Sequence, residues 1–161
     1  MGLWYEINNT RRISFQPEWF MCVAAEYTNL DVDAGTFDVQ NTSQFLVSPR
    51  FGIKGEATIA DRPNGQASVA FGGSDFGDPN YLIVDTDYDT YSMVYTCEDG
   101  VRPILWILAR TPHLDDETFY WLKTQAEARL PHYKFSQNTF TYQGSLCRYR
   151  QPIRRTRSSN L

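Results

Sequence analysis

The groups in this chain best equipped for covalent or metal chemistry are three thiols and two imidazoles: Cys22, Cys97, Cys147, His113 and His132. A thiolate can attack an electrophile, and cysteine and histidine at short spacings hold zinc. Neither histidine has a neighbour at metal-ligand spacing, so both read as surface residues flanking a helical segment. No Ser-His-Asp set, glycine-rich phosphate loop or pair of inward carboxylates appears. What remains is non-covalent chemistry. Aromatic residues make up 15% of the chain, and such side chains give large, rigid walls to apolar cavities.

The 161 residues suit one domain, and hydrophobic content of 42% is ordinary for a packed core. No run approaches the ~20 apolar residues of a membrane-spanning helix. The net charge of −4 is unevenly spread. Arg148, Arg150, Arg154, Arg155 and Arg157 cluster in residues 148–161 with no acid, leaving an acidic body. An acidic body excludes nucleic acid as the expected partner, because phosphate binding needs a basic surface. The sequence therefore divides into a domain over 1–147 and a basic, flexible tail over 148–161.

Alternation and β-branched or aromatic content mark eight strands, at 3–8, 20–29, 35–43, 51–60, 66–72, 80–87, 91–97 and 103–110. Turn signals separate them: Asp33-Ala34-Gly35, Arg62-Pro63-Asn64-Gly65, Phe76-Gly77-Asp78-Pro79 and Glu98-Asp99-Gly100. A helix follows over 115–130, with Asp115 as N-cap, acidic residues in its first turn and Pro131 as its stop. Phe119, Leu122, Ala126 and Leu130 form its apolar stripe. A last strand falls near 137–142. The expected fold is all-β: an eight-stranded antiparallel up-and-down β-barrel with one C-terminal α-helix packed outside. Closure removes exposed edges and leaves room for one small ligand.

Three short signals stand in order along this pattern. Gly2-Leu3-Trp4-Tyr5 opens the first strand, Thr86-Asp87-Tyr88 lies between the sixth and seventh, and Arg110 closes the eighth. The chain resembles the lipocalins in these regions. The stretch 81–97 (YLIVDTDYDTYSMVYTC) resembles the corresponding hairpin of retinol-binding protein, apolipoprotein D and the crustacyanins, and the run Trp106-Ile107-Leu108-Ala109-Arg110-Thr111-Pro112 resembles apolipoprotein D and bacterial lipocalin. The short strands and the cysteine placement favour the apolipoprotein D, insect biliprotein and crustacyanin branch over the retinol carriers. The resemblance implies that Arg110 stacks over Trp4 at the closed end of the barrel, with Thr86-Asp87-Tyr88 turning there and Gly2 beside them. It also implies a Cys22–Cys147 disulfide. In that branch the counterpart of Cys97 pairs with a cysteine upstream of the Gly-x-Trp motif, so Cys97 is expected to be a free thiol or to have lost its partner. Disulfide use implies a secreted, extracellular protein. No leader precedes Gly2, so the chain reads as a mature or trimmed form.

Alternation assigns faces, because residues two apart share one side of a sheet. Charged Glu26, Asp38, Lys54 and Glu56 are sent outward. That places Val23, Ala25, Tyr27, Phe37, Val39, Asn41, Ile53, Gly55 and Ala57 inward, followed by Ala67, Val69, Phe71, Tyr81 and Ile83. Counting back from Arg110 adds Leu108, Trp106 and Ile104. The seventh strand offers two sets, Tyr91, Met93 and Tyr95 or Ser92, Val94 and Thr96; an outward Cys97 favours Ser92 and Val94 as cavity residues. Small Gly55, Ala25, Ala57 and Ala67 are expected to leave volume. Two glycosylation sequons begin at Asn8 and Asn41; Asn8 reads as the start of a polar loop and a fair acceptor, whereas Asn41 points inward. The loop 9–19 carries Ile13, Phe15, Pro17 and Trp19 and reads as a lid over the mouth, or as a contact for a receptor, a membrane or a second copy.

The expected function is capture and carriage of a small hydrophobic ligand such as a fatty acid, sterol or retinoid. A bilin or carotenoid pigment in the same cavity is the alternative, and no cofactor is required. A lipocalin-type isomerase is the minor reading. It needs an inward, activated cysteine, and no inward position holds one.

Overall fold

The structure, a computed structural model, describes the chain apart from residues 12, 14, 15, 73–77, 98–101, 150–153 and 156–161, with backbone alone at 154 and 155. The expectations for Phe15, for the turn residues Phe76, Gly77, Glu98, Asp99 and Gly100, and for most of the tail therefore lie outside the described residues. Eight strands run in chain order: β1 (Gly2–Thr10), β2 (Phe20–Asp31), β3 (Thr36–Phe45), β4 (Phe51–Asp61), β5 (Gln66–Phe71), β6 (Tyr81–Thr86), β7 (Tyr91–Thr96) and β8 (Ile104–Ala109). Each pairs antiparallel with the next, and β8 returns to β1, so the sheet closes on itself.

The barrel is held together unevenly. β5 and β6 share only the pairs Gln66–Leu82 and Ala67–Tyr81. Beyond them the Asn80 side chain continues the ladder, accepting from Val69 N at 2.8 Å and donating to Val69 O at 3.0 Å.

The helix α1 (Asp116–Arg129) is capped by Asp115, whose carboxylate accepts from Thr118 N at 2.8 Å. It buries Phe119, Leu122 and Ala126 against Ile7, Met93, Leu105, Ile107 and Ala109 on the outer face of the sheet. Arg129 fixes its C-terminal end by an ion pair with Asp85 at 2.7 Å. Because Met93 lies under the helix with Tyr91 and Tyr95, Ser92, Val94 and Thr96 face the interior. That resolves the ambiguity of the seventh strand.

After a 3-10 turn at Phe135–Gln137 the chain forms β9 (Asn138–Phe140), which pairs with Asn8, Asn9 and Thr10 of β1. Its place exists because β2 leaves β1 above Ala24. Two residues of β2, Cys22 and Val23, there oppose one of β3, and Cys22 takes a φ of 56°. Gln143 bridges the opening, donating to Glu6 O and Val23 O, each at 2.7 Å. The Cys22–Cys147 disulfide locks the same segment to the wall across 125 residues of sequence. Arg148 N then donates to Gln44, the Tyr149 ring meets Tyr5 edge-on at 5.0 Å, and β10 (Arg154–Arg155) pairs parallel with Phe51 and Gly52.

Candidate functional site

The inner wall can be read from the pairing, since directly opposed residues share a face. Trp4, Ala25, Asn41 and Ile53 form one row, and Tyr27, Val39, Gly55 and Phe71 the next. Phe37, Ala57 and Val69 make a third, and Ala67 opposes Tyr81. On the other side, Ile83, Val94 and Trp106 align, with Ser92 against Leu108 and Thr96 against Ile104. Val23 is buried at the bulge but joins neither inner apolar cluster.

Those clusters meet at two tyrosines. Trp4, Val94, Leu108 and Trp106 form one, and Val39, Ala57, Val69, Phe37 and Phe71 the other; Tyr27 and Tyr81 pack against both. Their hydroxyls are bonded at 2.9 Å between strands that are not neighbours, so the bond crosses the lumen. Burial pushes the Tyr27 phenol up to about 12 and Tyr81 well above its ordinary value. Both stay neutral hydrogen-bonding groups at any physiological pH.

Toward the mouth the wall keeps exposed apolar surface and polar atoms with free valences. Ile53 is 52% exposed, and Phe71 and Trp106 are half-buried. Among the described residues, neither the Asn41 amide nor the Trp106 indole N–H has a side-chain hydrogen bond, and the Thr96 hydroxyl is buried without a partner. A polar ligand atom could satisfy such groups.

Several expectations need correction. Gly55 leaves no vacancy: a Cβ there would stand 2.7 Å from Phe71 Cδ1 and 2.2 Å from Ala70 O, so the neighbouring strand already fills that space. Asn8 does not begin a loop. It lies within β1, 2% exposed, and accepts from Asn138 Nδ2 at 2.7 Å, which leaves no room for a glycan. In the mouth loop Ile13 is buried, but Trp19 is 64% exposed, alongside Leu46 and Val47 of the adjacent loop.

Other inner residues escape alternation counted from the charged positions. The bulge in β2 turns Phe20 inward, where its ring meets Phe51 at 5.0 Å. Glu6 opposes inward Leu108, and Asn9 opposes Trp106. The Glu6 carboxylate is 3% exposed and accepts from Asn9 Nδ2 and from Gln16 Nε2, all at 2.7 Å, and from the Thr141 hydroxyl. Burial raises its pKa to about 7 against the opposing effect of these bonds. Counting two residues on from Trp4 reaches Glu6, so the signal was present, but a lone carboxylate contradicts an apolar lining.

A polar groove of about 390 Å³ lies on the outer face of β2–β5, lined by Thr28, Asp38, Gln40, Lys54 and Glu56 among others.

Residues 1–141 match the family model described as a lipocalin-like domain. The chain belongs to the lipocalins. It is 30% identical over 128 residues to apolipoprotein D of Mus musculus, covering 76% of this chain and 65% of that protein. With the Lazarillo protein of Schistocerca americana it shares 29% over 155 residues, again spanning 65% of the relative's length. Among solved structures, lobster apocrustacyanin A1 superposes with a TM-score of 0.75 at 22% identity, covering 92% of this chain and 80% of that one. Insecticyanin from Manduca sexta gives 0.73 at 19%, covering 92% and 81%.

The closed end of this lipocalin is built around one guanidinium. Arg110 lies 3.6 Å over the Trp4 ring and donates to Met1 O, Leu3 O and Tyr88 O. Gly2 has a φ of +89°, and a Cβ there would lie 3.5 Å from Arg110 Nη1. In the adjoining turn Asp87 accepts from the backbone N–H of Asp89, Thr90 and Tyr91, while the Thr86 hydroxyl accepts from Tyr88 N. These residues are joined into a floor beneath the lumen. Cys97 is free and exposed, on the outward side that Tyr95 shares.

Proposed function

We propose that this lipocalin binds a small hydrophobic molecule, such as a fatty acid, sterol or retinoid, inside its barrel and carries it through extracellular fluid. The observation that carries the reading is the apolar surface of exposed Ile53 and half-buried Phe71 and Trp106 on the mouth side of the inner wall of a closed barrel. Covering such surface is favourable by about 25 cal/mol per Å². Asn41, Thr96 and Trp106 supply orienting polar atoms. The disulfide supports an oxidising compartment, and the kinship with apolipoprotein D supports a lipid as cargo.

A pigment is the second reading, favoured by the rings of Tyr27, Phe37, Phe71, Tyr81 and Trp106, which would flank a conjugated chain. An absorption spectrum of protein from its source separates the two, and native mass spectrometry identifies the cargo. An isomerase would need a thiolate facing the lumen; Cys97 faces out and Cys22 and Cys147 are bonded.

Titration with the neutral probe N-phenyl-1-naphthylamine tests the site. Trp106→Ala should weaken binding about tenfold or more, a loss of roughly 1.4 kcal/mol or greater. Lys54→Ala, on the outer groove, should leave it within about twofold. Equal effects of the two changes would refute the assignment of the lumen as the binding site.

A further inference from the structure

Tyr27 of β2 and Tyr81 of β6 stand on opposite walls: counted either way round the closed sheet, three strands separate β2 from β6. Their hydroxyls nevertheless bond at 2.9 Å, so the two side chains together span the lumen. The rings meet edge-on with centroids 6.4 Å apart, and Phe37 braces Tyr27 at 5.8 Å. The pair packs against two sets of buried residues, Trp4, Val94 and Leu108 in one and Val39, Ala57 and Val69 in the other. Trp4 in turn carries the Arg110 guanidinium of the closed end. Toward the mouth, by contrast, Ile53 is exposed and Trp106 half-buried. The crossing bond lies where accessible lining gives way to packed interior.

We propose that the bonded Tyr27–Tyr81 pair sets the depth of the binding site: an apolar chain enters from the mouth tail-first, stops against the two rings, and is selected by its length. This rests on the carrier reading above and adds where the cargo ends.

Passing the pair requires breaking a buried hydrogen bond and parting two packed rings, and an apolar chain offers no hydrogen bond in exchange. Its end is better placed against the rings, where its area is covered without that cost. Orientation follows from charge. The burial that pushes the Tyr27 phenol up to about 12 and Tyr81 well above its ordinary value would also penalise an ionised carboxylate beside them. A fatty acid therefore keeps its head at the mouth. Each methylene held between the pair and the mouth gains about fourfold in affinity, the equivalent of ~0.8 kcal/mol. Methylenes beyond that length stay in water and gain little.

The test is a length series. Linear fatty acids of about 6 to 18 carbons displace N-phenyl-1-naphthylamine at pH near 7.5, each below its micelle concentration. In the natural chain the dissociation constant should fall about fourfold per carbon and then level off, to less than about 1.5-fold per carbon. Tyr81→Leu should move the levelling point to chains at least about two carbons longer. Trp106→Ala, on the mouth side, should weaken every member and leave the levelling point in place. A series that never levels, a point unmoved by Tyr81→Leu, or an equal shift in Trp106→Ala overturns the proposal. The natural chain alone gives a second measurement should Tyr81→Leu fail to fold. Nuclear Overhauser contacts from the terminal methyl of isotope-labelled decanoic acid should reach the Tyr27 and Tyr81 rings and not the Trp4 indole. A methyl contact to Trp4, or a methyl that touches neither tyrosine, overturns the depth limit. If neither the naphthylamine nor any acid binds, the carrier reading fails and the depth limit with it; binding with an unmoved levelling point removes the depth limit alone.

Discussion

Tyr27 Oη and Tyr81 Oη meet at 2.9 Å across the lumen, between strands that share no backbone pairing. The bond ties opposite walls together at the level where the two inner apolar clusters join. Below it, Trp4 and its neighbours fill the floor. Above it lies the surface a ligand would cover.

Removing one hydroxyl of this pair strands the other. Tyr27→Phe or Tyr81→Phe should each cost about 1–3 kcal/mol, the penalty of an unpaired buried donor or acceptor. The double variant should cost clearly less than the sum of the two. Urea unfolding of the four proteins in a double-mutant cycle measures the coupling, and simple additivity would show that the hydroxyls do not depend on each other.

Arg110 engages three carbonyls and an indole face through a planar fork. A lysine keeps the charge but cannot reproduce that geometry. Arg110→Lys should lower stability by about 1–3 kcal/mol. Calorimetry should register this as a lower Tm, whereas probe binding below that temperature should persist.

Gly55→Ala tests whether small inner residues signal free volume. The added methyl would collide with Ala70 O and Phe71 Cδ1, so a loss of about 1–3 kcal/mol is expected from overpacking. A neutral substitution in a thermal-shift assay would show that β5 can move aside.

Glu6 makes stability depend on pH. The raised folded-state pKa means that folded protein retains a proton the unfolded chain releases between an ordinary 4.5 and about 7. Stability from this group is intact below 4.5 and is lost as pH climbs through about 7, by roughly 3 kcal/mol in total. Glu6→Gln, neutral throughout, should gain on the natural protein over that window. Chemical denaturation at pH 4.5 and pH 8 supplies the comparison, and an unchanging difference between the two proteins would contradict a buried, titrating Glu6.

Strand order, closure, the capped helix and most of the inner face were legible from residue types alone. Each depends on local pattern: period two for faces, Asp115 and Pro131 for the helix ends, Gly and Asn for turns. The reading failed where one strand gains a residue on its neighbour. At Cys22–Val23 the added residue changes the face of everything before it and brings Phe20 inside, yet Cys22 sits at positive φ without being a glycine that would announce the turn. Likewise, nothing near Gln143 or Thr141 in the chain indicates that both reach β1 from more than 100 residues away. Alternation is a property of neighbours along the backbone. Which gap a distant segment fills, and whether a carboxylate such as Glu6 can be tolerated inside it, depends on hydrogen-bond partners that only packing brings together.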